Sequence, residues 1–69
     1  MPKRYSSKEI IAVLEKHGFA FISQRGSHVK YRKGKHTVIV VAGKKEIPMG
    51  TFASIVRQSG LKRTDFDKR

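Results

Sequence analysis

The stretch Ser27-His28-Val29-Lys30-Tyr31-Arg32-Lys33-Gly34-Lys35-His36-Thr37-Val38-Ile39-Val40-Val41 decides the fold. From His28 to Arg32, polar and apolar residues alternate. That period of two is the mark of a half-buried strand, with Val29 and Tyr31 facing a core. Gly34-Lys35 has the form of a two-residue hairpin loop with glycine first. His36 to Val41 is β-branched almost throughout and predicts a partner strand. Pairing Lys33 with His36 sets Tyr31 against Val38 and Val29 against Val40, so these four share the core face. His28, Lys30 and Arg32 then share the opposite face. A slip of one residue would exchange the two faces of a strand.

Working outward, Phe19-Ala20-Phe21-Ile22-Ser23-Gln24 is short and aromatic-rich, and Gly18 and Gly26 bound it. It predicts a further strand, with Arg25-Gly26 turning the chain into the hairpin. Phe19, Phe21, Tyr31 and Phe52 are expected in the core rather than as platforms for stacking bases. Upstream, Ser6-Ser7-Lys8-Glu9 has the form of a capping box, and Tyr5 and Ile10 occupy the hydrophobic-staple positions. Ile10, Ile11, Val13 and Leu14 make an apolar stripe at helical spacing, and Gly18 suits the left-handed residue after the last turn. The spacing predicts a helix over 7–17, with His17 placed favourably for the helix dipole.

Downstream, Ala42 to Ile47 reads as a basic loop. A second helix opens either with Pro48 as its first residue or with Thr51 as its N-cap. Phe52, Ile55 and Val56 give its apolar face. Gly60 ends it, and Leu61 is placed to pack back in a Schellman-type contact. In the charged tail Lys62–Arg69, Thr64-Asp65 either caps one more turn carrying Phe66 or the segment frays. Short connections imply an antiparallel meander. The expectation is a single α+β domain over residues 1–69, with its core at about 6–61. It is a two-layer sandwich of helix, three strands and helix, with one sheet face open to solvent.

Sixteen Lys and Arg stand against five Asp and Glu, for a formal net charge of +11 in 69 residues. Such an imbalance repels itself. A polyanion relieves it, and nucleic acid is the leading one because neutralised phosphates release counterions. A domain this size buries only about 60% of the surface its unfolded chain exposes, so a binding partner would help it. There is no cysteine, hence no disulfide framework and no Cys-based zinc site. No run approaches the length of a membrane span, and Met1–Glu9 lacks the apolar stretch of a signal peptide. The cytoplasm is the expected compartment.

Among chemistries, metal catalysis and triads find little footing. The five carboxylates form no ligand-like pair, the three histidines are not at zinc spacing, and no Gly-x-Ser-x-Gly elbow occurs. No metal or other cofactor is implied. A histidine working on a labile substrate remains, and RNA is such a substrate because its 2′-OH lies beside every phosphodiester. An imidazole can take or supply that proton near neutrality. His28 is the candidate, with Arg25, Lys30 and Arg32 as nearby cations for a phosphorane-like transition state. Gly26-Ser27 lets the backbone approach a phosphate. Lys44 and Lys45 are either a solvated loop or further phosphate contacts. His36, beside the hairpin turn, is expected to be exposed. Two other functions use the same features: a module that grips structured RNA without cutting it, and a basic protein that serves mainly to bind an acidic partner.

The segments Leu14-Glu15-Lys16-His17-Gly18-Phe19, Gly26-Ser27-His28, Glu46 to Phe52 and Ile55 to Leu61, in this order and spacing, resemble the HicA toxin family. The resemblance covers about residues 6–61. It implies an α-β-β-β-α fold like that of double-stranded-RNA-binding domains. It also implies a ribonuclease toxin that cuts messenger RNA and a HicB-like antitoxin that covers its active site. The family's catalytic histidine lies in the Gly-Ser-His segment, which falls on His28 here. Many members carry a Pro-x-His segment after the third strand, whereas this chain has Val40-Val41-Ala42-Gly43.

Overall fold

The computed structural model describes residues 4–67. Helix α1 spans Ser7–Lys16, strands β1, β2 and β3 span Ala20–Arg25, His28–Lys33 and His36–Val41, and helices α2 and α3 span Met49–Ser59 and Arg63–Asp67. The three strands form one antiparallel sheet in the order β1-β2-β3. This is the α+β arrangement that the residue pattern predicts.

The β2–β3 hairpin has the register its sequence requires. Lys33 faces His36, Tyr31 faces Val38 and Val29 faces Val40. Val29, Tyr31, Val38 and Val40 are all buried, and His28, Lys30 and Arg32 are all exposed. Both hairpin turns place glycine first, with φ of +60° at Gly26 and +57° at Gly34, where a residue with a Cβ would be strained.

Helix α1 begins and ends as read. The Ser6 hydroxyl accepts from the Glu9 N–H at 3.1 Å, and the Glu9 carboxylate accepts from the Ser6 N–H at 2.9 Å. At the other end, the Gly18 N–H donates to the Glu15 carbonyl and the Phe19 N–H to the Leu14 carbonyl, at 3.0 and 2.9 Å. Those two bonds are a Schellman motif, and the buried side chains of Leu14 and Phe19 accompany it. Helix α2 starts differently from either expected form. Pro48 is its N-cap, no side chain caps it, and Thr51 lies inside the first turn. Gly60 ends the helix, but the Leu61 N–H donates to the Ser59 hydroxyl at 3.1 Å rather than closing a Schellman pair.

The core lies between the sheet and the helices, where α1 and α2 both pack against β3. Ile10, Leu14, Val38, Val40, Ile47, Phe52, Ile55 and Phe66 are its most deeply buried members. One alternative is decided here and one expectation changes. Phe66 is fully buried, because α3 forms and presses that ring edge-on to Phe52 at 5.3 Å. The C-terminal segment therefore completes the core; Asp65 secures it by accepting from the Lys62 N–H at 2.9 Å. Phe21, expected in the core, is instead 55% exposed. It faces Tyr31 across the pair, but the helices lie over β3 and leave β1 exposed along its whole length.

The segment before α1 and the loop after β3 are stitched together. The Ile47 N–H donates to the Tyr5 carbonyl at 2.7 Å, and the Ser7 N–H to the Lys44 carbonyl at 2.9 Å. The Ser7 hydroxyl donates to that same carbonyl and accepts from the Lys44 N–H, at 3.1 and 3.0 Å. Ser7 is buried, so its removal would leave a backbone N–H without a partner away from water. Ser7→Ala is expected to lower unfolding stability by about 1–3 kcal/mol in urea titration. An unchanged midpoint would show that the stitch carries no weight.

Candidate functional site

The β1–β2 turn brings the candidate residues together. Arg25 is the cross-strand partner of His28, a pairing that sets their Cβ atoms about 5 Å apart on one face. Lys30 follows on the same face of β2 at about 7 Å, and Arg32 at about 13 Å. Arg25, His28 and Lys30 line one hollow of about 430 Å³ on the open sheet face, together with Ser23, Gln24 and Ile39. His28 is exposed and makes no hydrogen bond or ion pair among the described residues. Its imidazole is thus available to a ligand, and no carboxylate among the described residues orients it.

The turn itself is braced. The Gln24 amide donates to the Gly26 carbonyl at 2.9 Å, and the Ala42 N–H donates to the Ser27 carbonyl at 2.6 Å. The second bond extends the β2–β3 ladder past His28 and fixes Ser27 against the root of the loop that carries Lys44 and Lys45. Those two lysines are exposed but do not join the His28 hollow. They line a separate groove with Ser6, Ser7 and Lys8, beside the start of α1. Arg32 shares the face of His28, yet its Nε donates to the Gly34 carbonyl at 3.2 Å, toward the far turn. Gly26 and Ser27 sit at the mouth of the hollow as the turn residues.

His36 does more than border a hairpin. Its Nδ1 lies 3.2 Å from the Gln58 carbonyl, and a Cβ placed on Gly60 would fall 2.6 Å from its ring. The imidazole fastens the start of β3 to the end of α2. His17 is the C-cap of α1, and its carbonyl accepts from the Lys33 ammonium at 2.7 Å. No group of three or more His, Cys, Asp or Glu residues that could hold a metal ion occurs among the described residues.

Ser23, Gln24 and Ile39 are the lining residues that sequence reading missed. Ile39 was within reach, because the pairing of Lys33 with His36 counts out to Lys30 opposite Ile39. Ser23 was not, because a bulge between Phe21 and Ser23 breaks the alternation of β1 and sets Ser23 opposite Lys30.

A model of a protein family described as the HicA toxin of bacterial toxin–antitoxin systems matches residues 7–61. The chain belongs to the HicA toxin family. The match runs from the first residue of α1 through Leu61, so it takes in the entire sheet, the His28 hollow and α2. As a HicA toxin the chain belongs to a family of toxins of bacterial toxin–antitoxin systems. None of the curated proteins matches this HicA chain in sequence. No helix among its described residues is long and apolar enough to cross a membrane.

Below the hollow, Tyr31 pins β2 to α1. Its hydroxyl donates to the Glu15 carboxylate across 3.5 Å, a long bond. Burial pushes the phenol above its ordinary value of 10.0, and the charge of Glu15 and this bond push it the same way. The fold therefore favours the neutral phenol. That contribution is complete below pH 10.0, the ordinary tyrosine value, and is lost as pH rises through the higher native one. Ultraviolet titration should show the Tyr31 phenol ionising later than free tyrosine, and Tyr31→Phe should remove that step. A Tyr31 transition at or below 10.0 would contradict the packing described.

Proposed function

We propose that this HicA toxin is a metal-independent endoribonuclease that cuts messenger RNA in the cytoplasm and is neutralised by a HicB-like antitoxin. The observation that carries the reading is an exposed His28 without a partner among the described residues, with Arg25 directly across the hairpin and Lys30 on the same face.

In this reading His28 takes the proton of a ribose 2′-OH as the 2′-oxygen bonds to the adjacent phosphorus. The bond from phosphorus to the 5′-oxygen breaks, and solvent, which the open face admits, returns a proton to the leaving oxygen. The products are a 2′,3′-cyclic phosphate and a 5′-hydroxyl. Arg25 and Lys30 stabilise the charge that gathers on the phosphorane-like transition state. The Gly26-Ser27 turn lets the backbone come close to the phosphate, since a Cβ on Gly26 would meet nothing yet its φ of +60° suits glycine. Arg32 extends the cationic path along β2. Lys44 and Lys45, in their separate groove, contribute phosphate contacts remote from the bond that breaks.

An RNA-binding module that grips without cutting is the alternative, and the observation in its favour is that no carboxylate among the described residues bonds to His28. One assay separates the two. His28→Ala is expected to slow cleavage of a messenger RNA fragment by about 10²–10⁴-fold, while EDTA leaves the native rate unchanged. RNA that stays intact with the native protein, yet is retained in a gel shift, would establish the binding module instead. Full cleavage by His28→Ala would defeat the assignment of the histidine.

A further inference from the structure

The sheet has an edge with no neighbour among the described residues. Strand β1 is six residues long, pairs with β2 alone, and is exposed throughout. Its outward backbone groups are therefore free to bond with another chain. Two of its side chains are large, apolar and uncovered: Phe21 is 55% exposed and Ile22 is 50% exposed. Natural sheet edges are usually guarded by charge, by proline or by being short. Here Ala20–Arg25 carries a single charge, Arg25 at its end, and no proline. The bulge at Phe21–Ser23 is its one guard, and it leaves Ile22 outside the pairing with β2.

We infer that β1 is the docking edge for the antitoxin, which adds an extended acidic strand to this sheet and packs apolar side chains over Phe21 and Ile22. Strand addition supplies main-chain hydrogen bonds, and the exposed pair supplies the apolar anchor. Charge selects the occupant. A second copy would bring two chains of net charge +11 edge to edge, which self-repulsion opposes, whereas an acidic partner gains from the same field. The placement also has a consequence for the open face. Arg25 ends β1 and faces His28, so a strand laid along β1 runs past the mouth of the His28 hollow. The inference uses the chain's membership of a toxin–antitoxin family and does not require that it cut RNA.

The test is titration of the cognate antitoxin into the full chain. Ile22→Lys and Phe21→Lys are expected to weaken binding by about tenfold or more each, as loss of an interface anchor does. RNA cleavage should stay at the native value for both variants, and thermal unfolding should stay at it for Ile22→Lys; Phe21→Lys also loses an edge-on ring contact with Tyr31 at 6.1 Å. In hydrogen exchange of the native complex, the amides of Ala20–Arg25 should gain protection. An affinity within about twofold of native for both variants would overturn the inference. Protection confined to α1 or α2, or a concentration-dependent dimer of the toxin alone, would overturn it too. If either variant fails to fold, the exchange pattern of the native complex decides. If the native protein cuts no RNA, the ribonuclease reading falls and this one is still measured.

Discussion

Everything in this molecule depends on which way β2 faces. Burying Val29 and Tyr31 against the helices forces His28, Lys30 and Arg32 to the other side, because successive side chains on a strand point in opposite directions. The cost of reversing that choice is large. A one-residue slip would put an imidazole and two cations into the apolar layer and expose a valine and a tyrosine. The open basic face is thus a by-product of core packing. The same burial that stabilises the domain presents the histidine. The Tyr31 phenol, held against Glu15 on the buried side, and the Arg25–His28 pair on the exposed side are two ends of one constraint.

A chain of 69 residues with a net charge of +11 has little stability to spare. Local devices recover some of it. The capping box and Schellman motif fix both ends of α1, Ser7 stitches that helix to the loop after β3, and His36 clasps the end of α2. Tyr5, Phe52 and Phe66 come from three separate segments; Tyr5 stacks on Phe52 at 4.7 Å and Phe66 meets Phe52 edge-on at 5.3 Å. That ring cluster explains how a five-residue helix such as α3 persists, since so short a helix is marginal by itself. The repulsion that these devices offset is also what a polyanion or an acidic antitoxin would relieve.

The parts legible in the sequence were those with short-range physical causes. The hairpin register followed from the alternation in β2 and the Gly34-Lys35 turn, and α1 followed from its caps. The grouping of His28 and Lys30 followed from that register, but Arg25 reads in the sequence as part of the turn, whereas it ends β1 opposite His28 and the turn is Gly26-Ser27. What escaped depended on long-range placement. Phe21 is apolar and its pattern fits a core strand, but nothing local says that the helices will lie over β3 instead. The bulge that places Ser23 opposite Lys30 has no composition cue in Phe-Ile-Ser. The buried role of Ser7 arises from Lys44, thirty-seven residues away, and the role of His36 from Gln58 and Gly60 on another element. Lys44 and Lys45 look from the sequence like extensions of the basic site, yet the stitch to Ser7 draws their loop toward α1.

The central claim is that RNA meets this protein on the open face of β2, at the His28 imidazole. Its most direct test is titration of a non-cleavable, 2′-deoxy-substituted RNA oligonucleotide into isotope-labelled protein, followed by nuclear magnetic resonance. The side-chain signals of His28, Arg25 and Lys30 should shift together, while those of Val29 and Val40 beneath them stay in place. Shifts centred on the groove of Lys8, Lys44 and Lys45, with the His28 ring unmoved, would contradict the account.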